Sequence, residues 1–265
     1  MHNKTARALW FKSVAAALGM IALSGCATAP VEPALSISRE RSIVELPAEP
    51  GLLEIDNPFG DLHVRTSDDS RLGLQAVIQR IGEHPATLTW VTGASATGFR
   101  VSVRSDQARI DSAHRHGRFD LVVFAPRNWA LKLSTRDGRV RVRGAMQALS
   151  VRTDAGDIAV SAAADVDLKS VSGKINATLS AVKFTRDSQI RSERGDVAVG
   201  VPMGASLEVI AEAGRAINAQ WNVPAQSSDA RSARFVLNGG ERQLRIVSRA
   251  GTVSLVPVTR LEPQG

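Results

Sequence analysis

Aromatic side chains are scarce in this sequence, and tyrosine is absent. Phe, Trp and Tyr together make up 4% of the 265 residues, whereas 43% are hydrophobic. A hydrophobic fraction of that size supports a packed core, so the composition is not that of a disordered chain. The scarcity of aromatic rings argues against a groove in which Tyr and Trp bind sugars or peptides.

A strong excess of one charge is also missing. The chain has 33 Lys and Arg against 26 Asp and Glu, a formal net charge of +7. Residues 1–25 hold three of the positive charges and no negative ones, so the remainder carries 7 − 3 = +4. Such a small excess is not typical of nucleic-acid binding, and no nucleic acid is expected as a partner.

Cysteine occurs once, at Cys26, so an intramolecular disulfide is excluded. The residues before it have the organisation of an export signal. Lys4, Arg7 and Lys12 form a basic start, and the apolar run 14–23 follows. That run is too short to span a membrane, which favours a signal peptide over a transmembrane helix.

The segment Leu23-Ser24-Gly25-Cys26 resembles the lipobox of bacterial lipoproteins. The resemblance implies that residues 1–25 are removed, that Cys26 carries diacylglycerol and a further acyl chain such as palmitate, and that the protein is held at a membrane. Ala27, rather than aspartate, indicates the outer membrane by analogy with Gram-negative sorting. The alternative is that Cys26 is an unmodified thiol.

The rest of the chain divides into three predicted parts. Residues 26–42 are predicted to be a lipidated tether. They belong to a stretch from Ala27 to about Pro50 that holds four prolines and several charges and whose second half already enters a strand. Residues 43–258 are predicted to be the folded domain. Residues 259–265 are predicted to be a C-terminal tail.

One pattern recurs through residues 43–258: two alternating apolar residues, a polar turn that ends in glycine, and two more alternating apolar residues. This alternation is typical of strands with one buried face, and its recurrence predicts a repeat architecture. We expect the turn glycines to have positive φ, where a Cβ would be strained. They are Gly60, Gly138, Gly156, Gly173, Gly195, Gly214 and Gly251.

The spacing of these glycines predicts the fold class. From Gly138 to Gly214 the intervals are 18, 17, 22 and 19 residues. A period of about 18–20 residues is that of one coil in an all-β parallel β-solenoid, whose coils stack like strands of a sheet. The alternative is a sandwich of antiparallel hairpins. Two coils are expected between Gly214 and Gly251, and an antiparallel pair of 88–91 with 99–103 in a less regular N-terminal β region.

The segment Val122–Val142 reads strand, Pro, Leu-x-Leu-x-Thr-x-x-Gly-x-Val-x-Val, and Val151–Ile158 continues the pattern. With this motif, residues 43–258 resemble the putative-adhesin β-strand-repeat families of bacterial envelope proteins, most of whose members have no known function. The resemblance implies a right-handed parallel β-helix and no catalytic residues.

The residues that follow successive glycines alternate in charge. In a stacked solenoid they would lie one above another and pair with opposite charges. We interpret them as a structural charge ladder, in which each exposed pair contributes at most about 1 kcal/mol. The alternative is a charged edge that binds a ligand. The ladder consists of Arg139, Asp157, Lys174, Asp196 and Arg215.

No set of residues converges on catalysis or metal binding, so neither enzyme activity nor a cofactor is expected. His114 and His116 could begin a zinc site but are interpreted as loop residues. Asp154 and Asp157 could act as paired carboxylates on a polysaccharide, yet aspartate is common in turns for its backbone hydrogen bonds. The Gly-Asp pairs lack the nonapeptide of calcium-binding repeats.

The sequence therefore predicts a lipid-anchored cell-envelope protein with a non-enzymatic β-repeat scaffold. The scaffold would serve adhesion or bind an envelope protein or polymer, at the outer membrane of a Gram-negative bacterium and facing the periplasm or the surface. Two alternatives stay open. One is an envelope-stress or assembly component that binds a periplasmic partner, and the other is a carbohydrate-active β-helix enzyme.

Overall fold

The computed structural model describes residues 35–47, 49–81, 87–105, 117–181 and 184–258. These ranges contain strands and turns but no helix, and hence no helix that could cross a membrane. Cys26, His114 and His116 lie outside the described residues. The strands are β1 (Leu35–Val44), β2 (Leu52–Asp56), β3 (Leu62–Ser67), β4 (Leu72–Ile81), β5 (Leu88–Ser95), β6 (Gly98–Ser105), β7 (Gly117–Pro126), β8 (Ala130–Thr135), β9 (Val140–Ala145), β10 (Leu149–Thr153), β11 (Ile158–Ala162), β12 (Val166–Ser170), β13 (Ile175–Leu179), β14 (Ser188–Ser192), β15 (Val197–Pro202), β16 (Leu207–Ala213), β17 (Ile217–Ala219), β18 (Ser227–Ser228), β19 (Ser232–Leu237), β20 (Arg242–Ser248) and β21 (Val253–Val258).

The strands form two sheets, and both mix parallel with antiparallel pairs. Sheet A has ten strands in the order β1-β4-β7-β3-β9-β11-β13-β15-β21-β17. Sheet B has eleven in the order β18-β19-β16-β20-β14-β12-β10-β8-β2-β6-β5. Buried side chains from both sheets form one hydrophobic cluster. The predicted all-β class is confirmed.

A parallel block occupies the middle of both sheets. From β8 to β15 the chain alternates between sheet B and sheet A, and from β10 onward each strand pairs in parallel with the strand two elements earlier. Leu149 of β10 pairs with Leu131 of β8, 18 positions before it, and with Val166 of β12, 17 positions after it. We call one sheet B strand, the corner after it and the following sheet A strand a rung. The rungs thus have the period of the glycine spacing.

The alternation along each strand separates core from surface. In β9, Val140 and Val142 are buried, whereas Arg141 and Arg143 are exposed. Each buried aliphatic side chain contributes about 1.5–3 kcal/mol relative to an exposed one. Packing of these rows therefore stabilises the repeat without a disulfide.

At the end of the stack formed by the N-terminal strands, both sheets finish in antiparallel pairs. β5 pairs with β6, where Trp90 lies opposite Val103, so the predicted pair of 88–91 with 99–103 is confirmed. β1 pairs with β4 at the edge of sheet A. Since β1 begins at Leu35, a strand occupies the second half of the segment predicted as a tether.

The last rungs do not stack in sequence order. β20 pairs with both β14 and β16, and β21 pairs with both β15 and β17. The rung β20–β21 therefore lies between β14–β15 and β16–β17. The expectation of two coils between Gly214 and Gly251 is wrong, because β19 turns back and pairs antiparallel with β16.

Candidate functional site

The turn glycines allow the backbones of neighbouring corners to approach closely. A Cβ on Gly156 would overlap the carbonyl oxygen of Gly138, and one on Gly138 would overlap that of Gly60. The expectation of positive φ is wrong for all seven turn glycines, since none is among the residues with positive φ. Stacking contact between rungs, rather than a left-handed backbone, excludes a side chain at these positions.

A buried hydroxyl supports five of the corners. Ser192 is typical: its Oγ accepts a hydrogen bond from the Gly195 amide at 2.8 Å and donates one to the Gly173 carbonyl at 3.0 Å. Each hydroxyl lies three residues before a turn glycine and joins its own corner to the preceding rung. The five residues are Thr135, Thr153, Ser170, Ser192 and Ser248. Sequence reasoning missed this role, although Thr-x-x-Gly is in the motif.

Aspartates that follow turn glycines, whether or not they belong to the charge ladder, bind backbone amides of the next rung. Asp157 Oδ1 accepts a hydrogen bond from the Lys174 amide at 2.9 Å. Asp61 accepts one from the Arg139 amide at 2.7 Å. Asp157 is thus part of a corner, which is a structural role for one of the two aspartates considered as catalytic carboxylates.

Thr252 separates the last two members of the predicted ladder. The structure places it between Asp196 and Arg215, because β21 lies between β15 and β17. Asp196 Oδ1 accepts hydrogen bonds from the Thr252 amide at 2.9 Å and from Thr252 Oγ1 at 3.0 Å. The charges of the ladder therefore alternate in sequence order, but in the order of the stacked rungs the uncharged Thr252 lies between Asp196 and Arg215.

The Asp196 carboxylate makes stability depend on pH. The hydrogen bond from the Thr252 amide lowers the pKa of Asp196, and Lys174 and Arg215 lower it further. Because the pKa is lowered, the ionised carboxylate stabilises the fold at pH values above the ordinary pKa of about 3.9. This stabilisation is lost as the pH falls through the pKa of the folded state. We expect the stability difference between the wild type and Asp196→Asn to shrink from about pH 5 to about pH 3. Urea unfolding at several pH values measures it, and a constant difference would contradict the prediction.

The outer face of sheet B is covered with ion pairs. Glu54 binds both Arg100 and Lys132. Further along the sheet, Lys169 pairs with Asp167 at 3.1 Å. Arg234 and Arg245 continue the pattern with Glu208 and Glu212. Most charged side chains of this face are therefore engaged in ion pairs.

The outer face of sheet A carries arginines instead. Strand register brings Arg41 of β1, Gln75, Val122, His63 and Arg141 into one row across the sheet. A second row holds Arg65 of β3 beside Arg143 of β9. Within the described residues these arginines have no ion-pair or hydrogen-bond partner. We call five exposed arginines the basic face: Arg39, Arg41, Arg65, Arg141 and Arg143.

Half-buried His63 contributes no charge to this face near neutral pH. Burial lowers its pKa from the ordinary 6.5. Asp61 opposes the shift and Arg141 adds to it. The positive charge of the basic face therefore resides in the arginines.

Arg65 and Arg143 are like charges on neighbouring strands, an arrangement that lowers stability. We expect Arg143→Gln to raise the free energy of unfolding by about 0.2–1 kcal/mol, because it removes that repulsion. Lys132→Gln is the matched change on sheet B, where it breaks an ion pair with Glu54 and is expected to lower stability or leave it unchanged. Urea unfolding of both variants checks this, and a less stable Arg143→Gln protein would refute it.

Beyond the basic face, sheet A presents small side chains. Strands β11, β13 and β15 point no long or charged residue outward between their corners. We call this surface the smooth strip: Ala159, Ser161, Asn176, Thr178, Ala198 and Gly200. The smooth strip adjoins the basic face, because Ser161 of β11 pairs with Arg143 of β9.

These features define an all-β repeat protein with hydrogen-bonded corners, one ion-paired face and one basic face. Within the described ranges no His, Cys, Asp or Glu cluster could hold a metal ion. No protein-family model matches the chain, and no curated protein does.

Solved structures with a similar fold include a putative cell adhesion protein from Clostridium sporogenes. It is 14% identical, with a TM-score of 0.50 over 84% of this chain and 100% of that one. A putative adhesin from Bacteroides fragilis is 12% identical, with a TM-score of 0.36 over 86% of this chain and 100% of that one. At such identity the first similarity shows the fold alone.

Proposed function

We propose that this protein is a lipid-anchored, non-enzymatic adhesion module of the cell envelope, and that the outer face of sheet A is its binding surface. The observation that carries the proposal is the contrast between the two sheets. Most charged residues of sheet B are engaged in ion pairs, whereas the basic face holds arginines without described partners. Unneutralised surface charge steers and orients binding to a partner of opposite charge.

The corners support a scaffold rather than a catalytic centre. Their buried hydroxyls and Asp157 satisfy backbone groups of adjoining rungs. We further propose that the parallel block is a right-handed β-solenoid. Parallel strands of one sheet joined through a crossover are right-handed in about 98% of cases. An experimental structure with left-handed crossovers would refute this part.

Similarity to a putative cell adhesion protein is compatible with the proposal at the level of fold. The motif ending at Cys26 supports the lipid anchor and an envelope location. This support for the anchor comes from the sequence and is independent of the structural comparison.

The anchor is tested by Cys26→Ser. We expect this substitution to release the protein from the membrane fraction of cells, because no acyl chain can then be attached. Ser24→Ala in the same motif is the control, since it leaves the cysteine in place. Equal membrane retention of wild type and Cys26→Ser would overturn the anchor.

The binding surface is tested by photo-crosslinking in cells. A photoreactive amino acid replaces Ser161 on sheet A or Ser150 on sheet B. Adducts with an envelope component, whether protein, polymer or lipid, are expected from position 161 and not from position 150. Equal adduct formation from both positions, or none from position 161, would overturn the assignment of the face.

A further inference from the structure

We infer that the basic face lies against an anionic lipid bilayer, namely the membrane that holds the protein's own acyl chains. The inference rests on the proposed function, because it takes the binding surface defined there and names the chemistry that it meets. Four observations support it: the guanidinium groups that have no partner among the described residues, the exposed apolar residues among them, the length of chain from Cys26, and the ion-paired opposite face.

The guanidinium groups lie on one face of neighbouring strands. The face extends over five neighbouring strands, β1-β4-β7-β3-β9, which are four steps of about 4.8 Å, or roughly 19 Å. Guanidinium groups bind phosphate oxygens in a bidentate manner, and anionic headgroups present phosphates in a plane. A phosphate bound between Arg65 and Arg143 would also remove their mutual repulsion.

Apolar side chains on β1 share this face. Ile37 and Ile43 are 54% and 69% exposed, and they alternate with Arg39 and Arg41 on one side of the strand. A surface that combines basic and exposed apolar residues is typical of the membrane interface, where headgroups meet acyl chains. A soluble polyanion would account for the arginines but not for the isoleucines. The bilayer accounts for both.

The chain between anchor and body is short. Leu35, the first residue of β1, follows Cys26 by nine positions. Nine residues span at most about 30 Å when fully extended. β1 is also the edge strand of sheet A and carries two arginines of the basic face. A lipid on Cys26 would therefore keep this face within reach of the bilayer.

Energy transfer on the full lipidated protein in vesicles tests the inference. A fluorophore is attached at position 161 through Ser161→Cys or at position 150 through Ser150→Cys, and the acceptor is a headgroup-labelled lipid. In vesicles of phosphatidylglycerol and phosphatidylcholine, transfer from position 161 is expected to exceed transfer from position 150. The excess should be lost in pure phosphatidylcholine and in about 1 M salt, where the Debye length is about 3 Å.

Two double variants complete the design. Arg141→Gln/Arg143→Gln is expected to abolish the excess transfer from position 161. Arg100→Gln/Lys132→Gln removes the same charge from sheet B and should leave the excess unchanged. Equal transfer from both positions in anionic vesicles would overturn the inference, as would an excess that survives the first double variant. Transfer only to separate, protein-free vesicles would show that the face meets another membrane and would overturn it too.

Failure of the proposed function would look different. If the wild-type protein does not float with vesicles at all, the lipid anchor is wrong. If it floats and transfer is equal from both positions, the anchor stands and the membrane contact of the basic face is wrong. If position 161 forms adducts with a single protein in cells, the outer face of sheet A is still the binding surface, but its partner is that protein and not the bilayer.

Discussion

Gly156→Ala is expected to lower the free energy of unfolding by about 3 kcal/mol or more. The new Cβ would overlap the Gly138 carbonyl oxygen, which belongs to the backbone of the preceding rung and cannot rotate away. Overpacking of this kind commonly costs 1–3 kcal/mol, and more where backbone must move. Because the corner also binds the next rung, the displacement would propagate along the stack. Urea unfolding followed by circular dichroism measures the loss.

Gly204→Ala is the matched control for that substitution. Gly204 lies in an exposed turn, has no positive φ, and no atom lies within 4 Å of the position its Cβ would take. Alanine there should change stability by less than about 0.5 kcal/mol. If Gly156→Ala were tolerated as well as Gly204→Ala, the close approach of the corners would not govern this position.

Ser192→Ala is expected to lower the free energy of unfolding by about 2–4 kcal/mol. The substitution removes one oxygen and creates almost no cavity, so packing loss is a minor part of the effect. It leaves the Gly195 amide and the Gly173 carbonyl unpaired in a buried corner, at about 1–3 kcal/mol for each group. Urea unfolding measures the effect.

Ser161→Ala makes the same chemical change on the exposed outer face of β11. Its effect should stay within about 0.5 kcal/mol. A Ser192→Ala protein as stable as Ser161→Ala would mean that water or a shifted backbone replaces the hydroxyl.

Local pattern predicted the all-β class because both sheets alternate buried and exposed residues with period two. The spacing between Gly156 and the other turn glycines also predicted the rung period, because that period is the number of residues from one corner to the next. The predicted reason why glycine occupies these positions was wrong. Glycine is required there because the backbone of another rung lies too close for a Cβ, and not because of the residue's own φ. The hydroxyl three residues earlier was visible in the motif, but the carbonyl to which it donates lies in a different rung.

Order of stacking could not be predicted from the same pattern. Arg215 follows the next glycine in sequence after Asp196, yet Thr252 is the neighbour in space. One edge of β16 pairs with β19, which folds back onto it, and the other edge pairs with β20. A local pattern does not specify such pairing between distant strands. The basic face depends on such pairing too, because Arg65 and Arg143 are 78 positions apart. The Arg-x-Arg alternations within β1 and within β9 were visible in the sequence, but their placement on one face was not.

The location of β20–β21 inside the stack has a consequence for biosynthesis. These strands are the last described part of the chain to be made, yet they are what joins β14–β15 to β16–β17 within the two sheets. A nascent chain that ends before residue 242 leaves a vacancy between two rungs that are already synthesised. If the chain is translocated with its N-terminus first, the two sheets cannot be completed until β20 and β21 have crossed the membrane. A premature stop would then leave the strand edges of β14–β15 and β16–β17 unpaired, rather than yield a shorter but complete stack.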